Sequence, residues 1–289
     1  MNSKKLIGTV CAVGAAVCYG TNPLGALNLY AEGMNTPSVL FFRFGLAWLI
    51  IAAVMLFRRE SLRVDRREFL TLSALGILFI FSSLTLYLSF HLMPAGIAST
   101  ILFTYPVMTA AIMTLFFHER ITLSTVASIA LALAGVVLLY WGDSGTTLHL
   151  GGVVLVLVSA LTYALYIIVV DKSPLRMSSF KINFYVLMWC AVGMAVFALA
   201  SHQSLMLPPS PRAWLWVGWL ALVPAILALV MMVYAAKYLG STPTAILGAL
   251  EPTTAVLIGI FVFAEPFTLR LLAGIVLILS AVIIVVLRR

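Results

Sequence analysis

The chain has 289 residues, of which 63% are hydrophobic and only 9% charged. No water-soluble domain could hide that much apolar surface, and such a composition excludes a solvated catalytic domain of ordinary make-up. The net charge of +8 does not point to nucleic acid, because the basic residues are spread over short loops instead of forming a patch.

In chain order the sequence reads as ten apolar stretches: 6–29, 36–57, 69–91, 95–117, 121–141, 150–170, 179–201, 213–237, 242–264 and 267–287. A helix rises about 1.5 Å per residue, so roughly 20 apolar residues cross the hydrocarbon core. None of the stretches alternates as a membrane strand must. The expected fold class is an all-α membrane protein with ten transmembrane helices. Its short connections leave no room for an extramembrane domain, so function is expected inside the bilayer.

Lys4 and Lys5 precede the first stretch as they would in a signal peptide. No A-x-A-like cleavage site follows, and the run continues beyond a normal h-region, so it reads as a first membrane helix. With the N-terminus inside, 14 of the 17 Lys and Arg fall on the inner face, five of them in the 58–68 loop. Arg212 and Arg270 fall outside, and Arg43 lies within the second stretch. This asymmetry predicts a multi-pass protein with both termini cytoplasmic, its basic loops lying on anionic lipid. No organellar presequence precedes it, so the expected address is a cell inner (plasma) membrane.

Cys11, Cys18 and Cys190 all fall within apolar stretches, with no CxxC or Cys/His cluster. They read as packing residues, and no metal site, disulfide framework or cofactor is expected.

The chain repeats internally. A shift of 146 lays Pro106 on Pro252, Phe117 on Phe263, Glu119 on Glu265, Thr122 on Thr268 and Leu123 on Leu269. A shift of 144 lays AVCYG (16–20) on ALTYA (160–164), pairing Tyr19 with Tyr163. The expected halves are 1–145 and 146–289. Each holds five stretches, and because five is odd the second half enters the membrane from the opposite side. Such inverted repeats build carriers that open alternately to either face; a duplication with only a folding role is the alternative.

These segments resemble the drug/metabolite transporter superfamily, in particular its EamA-type members with five plus five helices. The resemblance rests on AAVCYGTNPL, FFRFGLAWLII, the pair YPVMTAAIMTLFFHER and LEPTTAVLIGIFVFAEP, and GGVVLVLVSALTYALYIIVVDK. It implies a central cavity lined by helices 1, 3, 4, 6, 8 and 9, and export of amino acids or related metabolites, as in exporters of the YddG type.

Candidate site residues follow from chemistry at depth. Glu251 is the one carboxylate deep in a stretch, reading either as a proton-coupling or substrate-amine group or as a partner for backbone freed by Pro252. Arg43 lies seven residues into its stretch, roughly 10 Å deep by helix rise. It could bind a substrate carboxylate, but a structural tie to backbone carbonyls is the preferred reading. Glu119 and Glu265 sit at opposite faces, where Glu265 is expected to cap the tenth helix. His91, His118, His149 and His202 fall at stretch ends, too shallow for a midplane proton relay.

Pro23, Pro106, Pro224 and Pro252 lie inside stretches and predict kinks; with Gly20 they are the hinge candidates. Phe79, Ser83 and Tyr87 share one helical face. With Tyr19, Asn22, Ser99, Thr100, Phe103, Tyr105, Thr162, Tyr163, Tyr166, Tyr234 and Glu251 they form the candidate cavity lining. Tyr87, Tyr234 and Tyr19 read equally as interfacial anchors. Such a lining suits a small zwitterion with an apolar side chain and suits a sugar phosphate poorly. An intramembrane enzyme would need paired acids, a Ser/His pair or a metal cluster at depth, and none is present. The chain also lacks a P-loop, so gradients would supply the energy. A passive channel would need neither inverted halves nor hinges.

Overall fold

Helices crossing back and forth make up nearly all of the computed structural model, which describes residues 3–117, 123–140, 148–173, 175, 177–239, 244 and 247–287. They are α1 (Ser3–Gly20), α2 (Asn22–Ala31), α3 (Thr36–Phe57), α4 (Arg66–Ser89), α5 (Ala95–Leu102), α6 (Tyr105–Phe116) and α7 (Leu123–Tyr140). The second part holds α8 (Leu150–Lys172), α9 (Ser179–Ala200), α10 (Pro211–Ala221), α11 (Ala228–Leu239), α12 (Leu250–Phe263) and α13 (Leu269–Leu287). There is no strand among the described residues.

Among the described residues, seven continuous or nearly continuous runs are long and apolar enough to span a bilayer: Lys4–Ala31, Thr36–Phe57, Arg66–Ser89, Ala95–Phe116, Leu150–Lys172, Ser179–Ala200 and Pro211–Ala235. Shorter apolar helices cover Val126–Tyr140, Leu250–Phe263 and Leu269–Ile284. The outward faces are apolar, with Phe57 93%, Leu123 86% and Phe261 81% exposed, which only a lipid environment tolerates over a whole surface.

Polar side chains at the membrane boundary start the helices. Asp65 and Glu68 form a capping box on α4, with Glu68 N–H donating to Asp65 Oδ1 at 2.7 Å and Asp65 N–H to Glu68 Oε2 at 3.0 Å. Asn35, Ser178 and Ser210 cap α3, α9 and α10 in the same way.

Helices pair across the two parts of the chain. The closest pairings are α4 with α8, α1 with α11, α3 with α9, and α7 with α13. Small residues make these approaches possible, since lipid offers no hydrophobic drive for helix association. A Cβ on Gly274 would lie 2.5 Å from the Leu139 side chain, and one on Gly135 would lie 2.7 Å from Ile278 Cγ1. Ser159 Oγ donates to the Ser82 carbonyl at 2.7 Å, pinning α8 to α4 deep in the protein.

Each of the four interior prolines lies at an irregularity in its helical run. The first span is interrupted at Thr21, and Pro23 lies in the first turn of α2. Pro106 lies likewise in the first turn of α6, after a break at Phe103 and Thr104. Pro252 lies in the first turn of α12. A first turn is where a missing N–H costs nothing, because that group has no intrahelical acceptor. Pro224 sits in a π-helical turn, Leu222–Leu227, which re-registers the ladder that proline cannot complete.

Glu265 also departs from expectation. Its carboxylate accepts the Ala95 N–H at 2.8 Å and the Gly96 N–H at 3.3 Å, so it caps α5 of the first part of the chain and not the following helix. The following helix, α13, is capped by Thr268 Oγ1, which accepts the Leu271 N–H at 3.1 Å. Glu119 and His118 lie outside the described residues.

Candidate solute site

The breaks bring unusual backbone to the middle of the protein. At the α1/α2 break the Thr21 hydroxyl donates to the Cys18 carbonyl at 2.7 Å, and Asn22 Nδ2 donates to the Tyr19 carbonyl at 3.0 Å. These side chains satisfy groups that an unbroken helix would pair internally. Gly20 lets this break press against the start of α12: a Cβ there would lie 2.6 Å from the Glu251 carbonyl oxygen and 2.5 Å from Thr254 Cβ.

A cluster of tyrosines surrounds this junction. Tyr105 meets Tyr163 edge to face with centroids 4.7 Å apart, and Tyr163 stacks on Tyr166 at 5.9 Å and 5°. Phe79 packs on Tyr163 and Tyr166 at 6.2 and 5.3 Å. Glu251 lies within electrostatic reach of Tyr19, Tyr105 and Tyr163. These side chains are enclosed by the protein and half-buried. No hydrogen-bond partner of the Glu251 side chain is present among the described residues, so its carboxyl is not committed to the backbone beside Pro252.

Four of these residues form a matched set. Tyr19 and Tyr163 coincide under the shift of 144, and Tyr105 and Glu251 under the shift of 146. Each half of the chain thus contributes two of them, and all four meet in one place.

The remaining candidates divide. Tyr87 is buried, its hydroxyl receiving a hydrogen bond from Arg43 and lying 3.5 Å from Asn22 Oδ1. It is therefore no interfacial anchor. Ser83 is buried on the same α4 face, and Ser99 is half-buried on α5. Thr100 is wholly buried and donates to the Gly96 carbonyl at 2.9 Å, while Thr162 donates to Val158 at 2.8 Å. Both hydroxyls are spent on their own helices. Phe103 belongs to an adjoining apolar cluster with Val107, Ala132 and Val282, touching the site through the edge of Tyr105 at 5.7 Å.

Tyr234 does not join the site. It is 47% exposed and stacks on Tyr238 at 6.1 Å. Among the histidines, His91 bonds Thr36 Oγ1 at 3.0 Å through Nε2 beside the Tyr30 ring, in the turn after α4. Burial in that turn lowers its pKa below the ordinary histidine value. No group of three or more metal-ligating side chains occurs among the described residues.

Two further residues adjoin the cluster: Phe44, which the sequence did not single out, and Cys190, expected only as a packing residue. Cys190 is wholly buried within reach of both Arg43 and Tyr166, and the Phe44 ring meets Phe79 at 6.0 Å. Their only signal in the sequence was position on an apolar face.

Comparison with known proteins agrees with this architecture. The model of the EamA-like transporter family matches twice, over residues 6–141 and 150–287. An "uncharacterized transporter" of Archaeoglobus fulgidus is 29% identical over 278 residues, covering 96% of this chain and 95% of its own. The "uncharacterized transporter YdfC" of Bacillus subtilis is 24% identical over 249 residues, covering 85% and 80%. A protein of known crystal structure superposes with a TM-score of 0.68 at 19% identity, covering 96% of this chain and 95% of its own, a likeness of fold alone. With the family model matching both halves, the chain belongs to the EamA-like transporter family of the drug/metabolite transporter superfamily and is a multi-pass membrane transporter.

Proposed function

We propose that the protein is a secondary transporter that exports amino acids or similar small amphiphilic metabolites by alternating access. The observation that carries this reading is the meeting of Tyr19, Tyr105, Tyr163 and Glu251, two residues from each half, at a point where helices are broken. Carriers with inverted repeats place their solute site at the interface of the repeats, on discontinuous helices. The cross-pairing supports such a repeat. The α4–α8 contact has its counterpart in α11–α1, and the α3–α9 and α7–α13 contacts are each their own counterpart. On this reading the halves are 1–145 and 146–289, the spans number ten, and helices 5 and 10 lie at the periphery.

Glu251 is the group placed to couple transport to protons, and the Gly20–Pro23, Pro106, Pro224 and Pro252 breaks are the hinges. The membrane is the cell inner membrane, with both termini cytoplasmic. A cysteine introduced in the 58–68 loop should stay unlabelled by an impermeant thiol reagent in whole cells; external labelling would reject this orientation.

The transport reading is tested by counterflow in proteoliposomes. Vesicles loaded with an unlabelled amino acid, from a panel that includes L-phenylalanine and L-leucine, should transiently concentrate the labelled form of their own solute. Equilibration without overshoot would indicate a channel, and no response from any amino acid would reject the substrate class.

A further inference from the structure

Arg43 sits in α3, 8% exposed and about 10 Å from the start of its helix. The two ion pairs among the described residues are Arg58–Glu60 and Lys172–Asp171, so none of the described carboxylates neutralises Arg43. Its Nη1 donates to the Tyr87 hydroxyl, while Nε is buried with no partner. The guanidinium lies against the Phe44 and Tyr87 rings, 5.3 and 5.4 Å from their centroids. This bond ties α3 to α4 through Nη1 alone, and no backbone carbonyl among the described residues takes the other donors.

A buried cation with a free donor is costly, and buried charges are normally paired. The planar guanidinium fork matches a carboxylate, which accepts two parallel hydrogen bonds. Position is the second observation. Phe44 joins Arg43 to Phe79 and through it to Tyr163 and Tyr166. Tyr19 lies within electrostatic reach of Arg43 and of Glu251 alike. The aromatic cluster therefore has both a cation and a carboxyl within electrostatic reach.

We propose that Arg43 is the carboxylate-binding residue of the solute site, its free edge taking the solute's carboxylate while Tyr87, held near Asn22, fixes the guanidinium. The solute class is a monocarboxylate with an apolar body. This rests on reading the tyrosine cluster as the solute site.

The test uses the full chain in detergent, titrated calorimetrically with 3-phenylpropanoate and with its uncharged analogue 3-phenylpropan-1-ol. Wild type should prefer the carboxylate by at least about tenfold, the scale of a charge-assisted pair. Arg43→Gln should erase the preference and Arg43→Lys should retain part of it. Equal binding of the two probes by wild type, no binding of either, or an undiminished preference in Arg43→Gln would each overturn the proposal. If Arg43→Gln does not fold, the wild-type preference and the Arg43→Lys ratio decide. Counterflow of L-phenylalanine, run in parallel, separates the two readings. A carboxylate preference without counterflow retires amino-acid export and leaves Arg43 standing. Counterflow with an unchanged KM in Arg43→Gln retires Arg43 and leaves the export reading intact.

Discussion

Tyr105 and Glu251 occupy the same position in the two halves of the chain, each immediately before the proline that opens a helix, and they lie within electrostatic reach of each other. A shift of 144, two residues shorter than the 146 that pairs Tyr105 with Glu251, pairs Tyr19 with Tyr163, where the residue is the same in both halves. Of the two pairs one is matched, tyrosine on tyrosine, and the other sets Tyr105 against the carboxyl of Glu251. A difference of that kind gives the tyrosine cluster one carboxyl without adding a second one to repel it.

Glu251→Gln should therefore uncouple transport without stopping it. Uptake driven by an imposed pH difference should be lost in proteoliposomes, while counterflow, which moves no net proton, stays within about twofold of wild type. The carboxyl makes no hydrogen bond to the backbone around Pro252, so thermal stability in detergent should change little. A variant that keeps its pH response but unfolds earlier would show that Glu251 only supports the break.

The tyrosines offer a comparison within one protein. Leu in place of Tyr105 or Tyr163 removes an edge-to-face partner at 4.7 Å and the ring surface a solute would touch. Apparent KM for a counterflow substrate should rise on the order of tenfold, about 1.4 kcal/mol. Tyr234→Leu, on a 47% exposed side chain, and Tyr140→Leu in α7 should stay within about twofold. Equal effects at all four positions would reject a localised aromatic site.

Membrane architecture was readable from the sequence because the bilayer imposes a minimum apolar length, and that constraint is nearly independent of packing. The helix breaks were only half readable. A proline inside an apolar run marks a discontinuity, but kink and restart have the same local signature, and the outcome depends on Asn22, Thr21 and the Gly20–Glu251 approach. Glu265 was assigned to the wrong helix because its acceptor role is to Ala95, 170 residues away, which no local pattern records. Tyr234 was placed with the cavity through its polarity, yet its stacking on Tyr238 keeps it on the outer surface. For Arg43 the sequence suggested a tie between helices but not its partner, the hydroxyl of Tyr87 on α4.

Gly20 should tolerate no side chain. An added Cβ would meet a backbone oxygen at 2.6 Å and a Cβ at 2.5 Å, and neither is the yielding end of a flexible chain. Gly20→Ala should cost roughly 1–3 kcal/mol, seen as a lower thermal midpoint, with a further loss in Gly20→Val. Gly45→Ala is the control, since a Cβ there meets nothing within 4 Å and alanine is the better helix former. An unchanged midpoint in Gly20→Ala would mean that α1 and α12 are not held together at this point.

Glu265 predicts a pH dependence with a definite sign. Burial raises its pKa above the ordinary carboxylate value, and the Ala95 and Gly96 N–H groups offset this only in part. An acid with a raised native pKa binds more protons folded than unfolded between the two pKa values, so stability falls as pH rises through that interval. Wild type should therefore lose thermal midpoint relative to Glu265→Gln as pH rises from about 4 towards neutrality. Glu265→Ala also leaves two helix N–H groups without their acceptor and should cost about 1 kcal/mol throughout. The measurement is the difference in midpoint between wild type and Glu265→Gln across that range. A difference that grows in favour of wild type with rising pH would mean that the α5 N-terminus, and not burial, governs this carboxyl.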